Sequence, residues 1–368
     1  MANKVNQAQL WVGIIILIIA VIGLVVIYSG NIQTRTSGAR IGVIIPLTGD
    51  AASYGASVKK GLELAKKELG LELELIFEDS KCDEAEAVNS INKLISSDKV
   101  NAIIGELCSG ATLAAAPIAE QNNIVLISPG ATSPDITSAG EYLFRTVPSD
   151  SFQGKFGAEI VYHRYGKRNL AILYSNENYD IGFNQVLKEN FEKLGGKVVA
   201  SEAFERNAVE LRAQLTKIKN ANPDAIYIIS NEQDSAVAAL KQIKELKIDT
   251  LIFGSEGLKG QYILDDAKDS AEGLIVISAS SGTSGFIDKY KTKYDEEPGA
   301  FAAQGYDALQ ALSIALEQGA QTGEEIRDRL YELSFEGASG RIDFDNNGDV
   351  SGIYEIYKVK NGEFVREN

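Results

Sequence analysis

The chain has 368 residues, 45% of them apolar and 24% charged, enough for roughly two packed globular domains. Its 51 Asp and Glu outweigh 36 Lys and Arg, for a net charge of −15, which argues against nucleic acid and anionic lipid headgroups as partners. A single histidine, His163, leaves little room for a histidine metal site or a Ser-His-Asp triad; within VYHRYG it reads as a solvated helix C-terminus.

Residues 10–28, LWVGIIILIIAVIGLVVIY, carry no charge and are long enough to cross a bilayer core as a helix. Trp11 and Tyr28 bracket the run like interface anchors. Ile27, Tyr28 and Ser29 make a poor signal-peptidase site, and no Cys follows to accept a lipid. The expectation is an uncleaved membrane anchor, with a short tail at 1–9 before it and a polar linker at 29–39 after it. Lys4 on one side and Arg35 and Arg40 on the other do not set its orientation.

From residue 41 strands and helices alternate. Residues 41–45 form a continuous apolar run, as expected of a strand buried on both faces. A turn at 46–54, a helix at 58–69, a strand at 71–77 and an amphipathic helix at 85–95 follow. A strand at 102–104, an Ala-rich helix at 111–121 and a strand at 124–127 complete a doubly wound parallel pattern. After RTVP at 145–148 the rhythm restarts. Helices at 152–165, 183–194, 209–218 and 235–246 alternate with strands at 170–174, 197–203, 225–229, 251–253 and 273–278. The segment SASSGTSG, 278–285, reads as a crossover, followed by helices at 286–294, 301–317 and 324–333 and two hairpin-like strands at 342–344 and 353–359. The late helices have no strands of their own to cover, so they are expected to return to the first lobe. The domains are then 40–147 plus 280–350 for lobe 1, and 148–279 plus 351–368 for lobe 2. Two such lobes enclose a cleft that closes by hinge bending.

Two turns matter most. GELCSG at 105–110 and SPGATSP at 128–134 follow adjacent parallel strands, which places both at the carboxyl edge of one sheet. Free N–H groups and the hydroxyls of Ser109 and Thr132 converge there beside a helix N-terminus, a site for a carboxylate or phosphate. The alternative is a pair of ordinary turns with hydroxyl N-caps. Cys82 and Cys108 each sit in a turn after a strand on that edge; a disulfide is one reading, two separate buried thiols the other. In the second lobe, Glu256 in GSEG could face these turns across the cleft, or be a solvated loop residue.

Other motifs fall away. DFDNNG at 343–348 resembles the start of a calcium loop, but its twelfth position is Tyr354, so a β-turn is expected. There is no G-x-G-x-x-G, no P-loop and no G-x-S-x-G, so no cofactor, metal or catalytic residue is assigned.

The segments EDSKCDEAEAV, IIGELCSGAT, ISPGATSPDIT, GSEG and PGAFAAQGYDAL resemble, in order and spacing, the leucine/isoleucine/valine-binding proteins. These are type I periplasmic or extracellular solute-binding proteins of amino-acid ABC importers. The likeness runs from about Arg40 to Lys358. It implies a Cys82–Cys108 disulfide. It implies a ligand carboxylate held by Ser109, Thr132 and the backbone at Gly130 and Ala131. It gives the ligand ammonium to Glu256 and the Gly130 carbonyl, and the side-chain pocket to Tyr54, Leu107, Tyr179, Asn231 and Phe301. Asn231 departs from the family pattern, which has Tyr there; it removes apolar wall and adds an amide.

The resemblance thus implies a binding protein, not an enzyme. It would hold an amino acid, branched-chain ones first, and deliver it to ABC permease subunits. The binding domain would lie outside the cell, tethered by a single membrane helix. A sensor ectodomain acting through a partner is the second reading.

Overall fold

The computed structural model describes residues 38–367; the apolar segment at 10–28 lies outside them. Among the described residues no helix is long and apolar enough to cross a membrane.

The first sheet is parallel throughout. It contains β1 (Arg40–Ile45), β2 (Glu74–Asp79), β3 (Ala102–Gly105), β4 (Leu126–Ser128) and β5 (Leu143–Arg145), in the order β2-β1-β3-β4-β5. Helices α1 (Ala52–Glu68), α2 (Glu84–Ser96) and α3 (Ser109–Gln121) join the first four strands. β1 buries every residue after Arg40, because helices cover both faces of the sheet. Asp83 caps α2, accepting from the Ala85 and Glu86 amides, with Glu84 and Glu86 favourably placed at the positive helix end.

The second sheet takes α4 (Asp150–Glu159), β6 (Asn169–Ser175), α5 (Asn178–Lys193), β7 (Lys197–Phe204), α6 (Arg212–Asn220), β8 (Ala225–Ile229), α7 (Gln233–Glu245), β9 (Leu251–Gly254) and β10 (Ile275–Ala279). The chain continues through α8 (Ser284–Tyr294), α9 (Ala302–Glu317), α10 (Gly323–Tyr331), β11 (Ser334–Glu336), β12 (Arg341–Asp343), β13 (Tyr354–Lys360) and β14 (Glu363–Glu367). The order is β14-β13-β10-β9-β8-β6-β7, parallel except at β13 and β14, which run antiparallel along one edge.

Two details depart from the sequence reading. The hairpin-like strands at 342–344 and 353–359 each take a partner strand that the sequence reading leaves out: β12 pairs with β11, and β13, which joins the second sheet beside β10, pairs also with β14. β11 and β14 are short edge strands with little buried surface, so they carry no apolar signature. Helix α4 passes into an unforeseen π-helical turn, Ile160–Arg164, while His163 is exposed at that helix end, as expected.

Helices α8 to α10 share one apolar core with β1, α1 and β5. Gly61 on α1 lets α9 approach closely, since a Cβ there would overlap the Ala302 carbonyl. The chain passes between the two sheets at 146–149, at 280–283 and at 344–353.

Candidate functional site

The carboxyl edges of both sheets face one cavity. It is lined by Ala51, Tyr54, Leu107, Cys108, Ser109, Gly130, Thr132, Tyr179, Asn231, Glu256 and Phe301. One side comes from the loops after β1, β3 and β4, the other from the loops after β6, β8 and β9, with Phe301 ahead of α9.

The helix α3 opens on this cavity with no side chain capping its N-terminus, which leaves amide donors and the positive helix end there. Ser109 and Thr132 are 3% and 2% exposed. The Ser109 hydroxyl accepts from the Ser133 amide, so its own proton is free to donate toward the cavity. The Ser128 hydroxyl accepts from the amides of Gly130 and Ala131 and donates to the Glu106 carbonyl. The turn at 128–134 is therefore fixed from within.

That bonding redistributes the expected donors. Ala131 is fully buried, its amide is spent on Ser128, and it does not line the cavity. Gly130 does line it, packed so tightly on Leu107 that a Cβ would lie 3.2 Å from the Leu107 side chain, but its amide too is turned to Ser128 and only its carbonyl is left for a guest.

Across the cavity Glu256 is 5% exposed. Gln153 donates to it through a close contact and to the Ile277 carbonyl at 3.0 Å, and the Tyr179 hydroxyl faces it. Burial pushes the Glu256 carboxyl up to about 7, and among the described residues no cation is paired with it. Asp150, fully buried behind Thr132, is held well above the ordinary carboxylate range by burial and by Glu256. A guest bringing a positive charge between these acids would let Glu256 ionise.

The remaining wall is largely aromatic. Tyr54 stands 5.8 Å from Phe301, which adopts φ +64° at the start of α9. A left-handed backbone is unusual for a bulky residue and turns this ring toward Tyr54. The Tyr54 hydroxyl donates across the cleft to the Gly257 carbonyl at 3.4 Å, and Tyr262 donates closely to the same oxygen. Gln233 donates to Ser53 at 2.8 Å and Arg206 to the Cys82 carbonyl at 3.3 Å, so the two sides are shut against each other.

Cys82 and Cys108 form a disulfide, their Cα atoms 5.5 Å apart, which ties the loop before α2 to the start of α3. Beneath it lies Glu106, fully buried, pushed up to about 7 by burial and held by Ser80 at 2.5 Å. Cys82, Glu106 and Cys108 are close enough to share a metal ion, but both sulfurs are committed to each other.

Several contributors were not foreseen. Gln153, Asp150, Glu106 and Ser128 sit one residue deep behind the wall. Arg145 donates to the Ser133 carbonyl at 2.9 Å and grips Asp349, so it anchors the Thr132 turn from behind. The calcium-loop look-alike is a turn: Asp345 accepts from the Asn347 and Asp349 amides and so presents Asp349 to Arg145. The crowding of polar residues in RTVPSDSFQG, across the first crossover, is a sequence signal for Arg145, Asp150 and Gln153 alone.

Comparison with known proteins fits this architecture. A profile of the periplasmic binding protein family matches residues 38–363. The leucine-, isoleucine-, valine-, threonine- and alanine-binding protein of Pseudomonas aeruginosa is 28% identical over 337 residues, covering 87% of this chain and 90% of that one. A leucine-binding protein from Thermotoga maritima superposes with a TM-score of 0.84 at 31% identity, over 90% of this chain and 98% of its own. The substrate-binding protein of a branched-chain amino acid transporter from Streptococcus pneumoniae, crystallised with isoleucine, gives 0.81 at 30%, over 90% and 100%. The fold, the shared edge of two α/β sheets and these matches place the chain among the periplasmic binding proteins, which bind solutes and are not enzymes.

Proposed function

We propose that this protein captures an amino acid, of branched-chain size, in the cavity between its lobes and hands it to the permease of an ABC importer. One observation carries the reading: the Ser109 and Thr132 hydroxyls and the uncapped start of α3 share one closed cavity with the Glu256 carboxylate of the opposite sheet. A zwitterion presents an anion to the first set and a cation to the second. Neither half-site neutralises the guest alone, so the guest binds the closed form better and shifts the hinge equilibrium toward it.

In this reading the lobes are 40–147 plus 280–350 and 148–279 plus 351–368. Tyr54, Leu107, Tyr179, Asn231 and Phe301 enclose the ligand side chain, and the Gly130 carbonyl accepts from its ammonium alongside Glu256. The apolar segment at 10–28 tethers the protein to the membrane, with the lobes on the outer face. The Pseudomonas and Streptococcus relatives, with their amino-acid ligands, support the ligand class. Isothermal titration calorimetry of ligand-stripped protein against the common amino acids tests it. Saturable heat with at least one of them, lost in Glu256→Ala, is expected; silence toward all of them would end the reading.

A further inference from the structure

The charged end of the cavity is accounted for by Ser109, Thr132 and Glu256. The rest of its wall is apolar or aromatic except at Asn231. This residue is the second after β8, between the fully buried Ser230 and the nearly buried Glu232, which bond to each other at 2.9 Å and fix the backbone. Its Oδ1 lies against the backbone of Gly257. Among the described residues no group hydrogen-bonds the Asn231 amide. The two nearby hydroxyls, Tyr54 and Tyr262, both turn their protons to the Gly257 carbonyl, and neither is hydrogen-bonded to Asn231.

A wholly aliphatic guest would seal this amide away from water with nothing to bond. That is the unfavourable case for a buried polar group, and a site built round such a group rejects the analogue that lacks a partner for it. The acids nearby do not call for a cation. Asp180 is fully buried, Glu232 nearly so, and neither lines the cavity. The wall at this end is uncharged.

We propose that Asn231 selects ligands whose side chain carries an uncharged hydrogen-bonding group, a hydroxyl or an amide, over aliphatic side chains of the same shape. This rests on the cavity being an amino-acid site.

The test uses two isosteric pairs, threonine against valine and asparagine against leucine, titrated calorimetrically into wild-type protein and Asn231→Leu. In the wild type each polar member should bind at least roughly 10-fold tighter than its partner. In Asn231→Leu the order should reverse. Equal or tighter binding of valine and leucine by the wild type, or an unchanged ratio in the variant, overturns the proposal. So does lysine binding tighter than all four. If the four bind but rank wrongly, the amino-acid reading stands and only the role of Asn231 falls; if none of the common amino acids binds, both fall. The unfolding midpoint without ligand checks that Asn231→Leu is folded, and Asn231→Ala, which removes the amide without adding bulk, carries the same ratio test if it is not.

Discussion

Arg145 and Asp349, 204 residues apart in sequence, meet as a buried two-pronged pair, with Nε to Oδ1 at 2.6 Å and Nη2 to Oδ2 at 2.8 Å. The same guanidinium donates to the Ser133 carbonyl at 2.9 Å and to the Thr137 hydroxyl at 2.7 Å. The turn that carries Thr132 is thereby fastened to the segment between β12 and β13. Removing one partner strands the other charge in the interior, which costs about 3–5 kcal/mol. Asp349→Ala should lose stability on that scale in denaturant unfolding, and should weaken amino-acid binding although Asp349 does not line the cavity.

Glu256 should matter to binding but not to folding. Truncating one member of a buried charge pair costs about 2–5 kcal/mol, a loss of roughly 30-fold or more in affinity. Glu256→Ala should show that loss in calorimetry. Its ligand-free unfolding midpoint should hold or rise, because the substitution removes an acid that burial disfavours in its charged form.

The pH dependence follows from the same acid. Glu256 and Glu106 are each pushed up to about 7 by burial, from an ordinary 4.5. Both bind their protons more tightly folded than unfolded, so ligand-free stability is greatest at the acid end of this window and falls as pH rises through it. Melting curves between pH 5 and pH 8 should show the fall, and Glu256→Gln should reduce its slope. Ligand binding runs the other way. An ammonium beside Glu256 favours the carboxylate, so binding near pH 6.5 should release protons. Titrations in buffers of different ionisation enthalpy would reveal this, and affinity should rise between pH 6 and pH 8.

The disulfide closes a loop with a sequence separation of 26. In the chain-entropy account such a closure is worth about 3–4 kcal/mol. A Cys82→Ser, Cys108→Ser double variant should unfold at correspondingly lower denaturant. It should also bind more weakly, since the bond holds the start of α3 beside Ser109.

The sequence carried much of this site locally. Two Gly-rich turns after adjacent apolar strands already point Ser109 and Thr132 at one edge, because strand direction alone determines where such turns lie. Glu256 stood as one of two alternatives from its turn alone, and the resemblance added Tyr54, Leu107, Tyr179, Asn231 and Phe301. What stayed hidden were polar residues whose partners are remote in sequence. Gln153 is unremarkable until Glu256, 103 residues later, lies beside it. Arg145 looks like any strand end until Asp349 arrives. Asp345 and its neighbours have the composition of an ion loop and serve as a brace, because a side-chain oxygen caps backbone amides as readily as it binds a cation. The assignment of Ala131 as a donor overlooked Ser128, whose hydroxyl takes that amide from one turn away.

The chain passes from sheet to sheet three times, at 146–149, 280–283 and 344–353. A lone tether would act as a swivel and let one half wander in any direction. Three tethers behave like a strap hinge: they fold along one axis and resist torsion. If the lobes open and shut as proposed, each cycle would bring the same faces back into register, and the guest would need only to pull the jaws together, not search for their alignment.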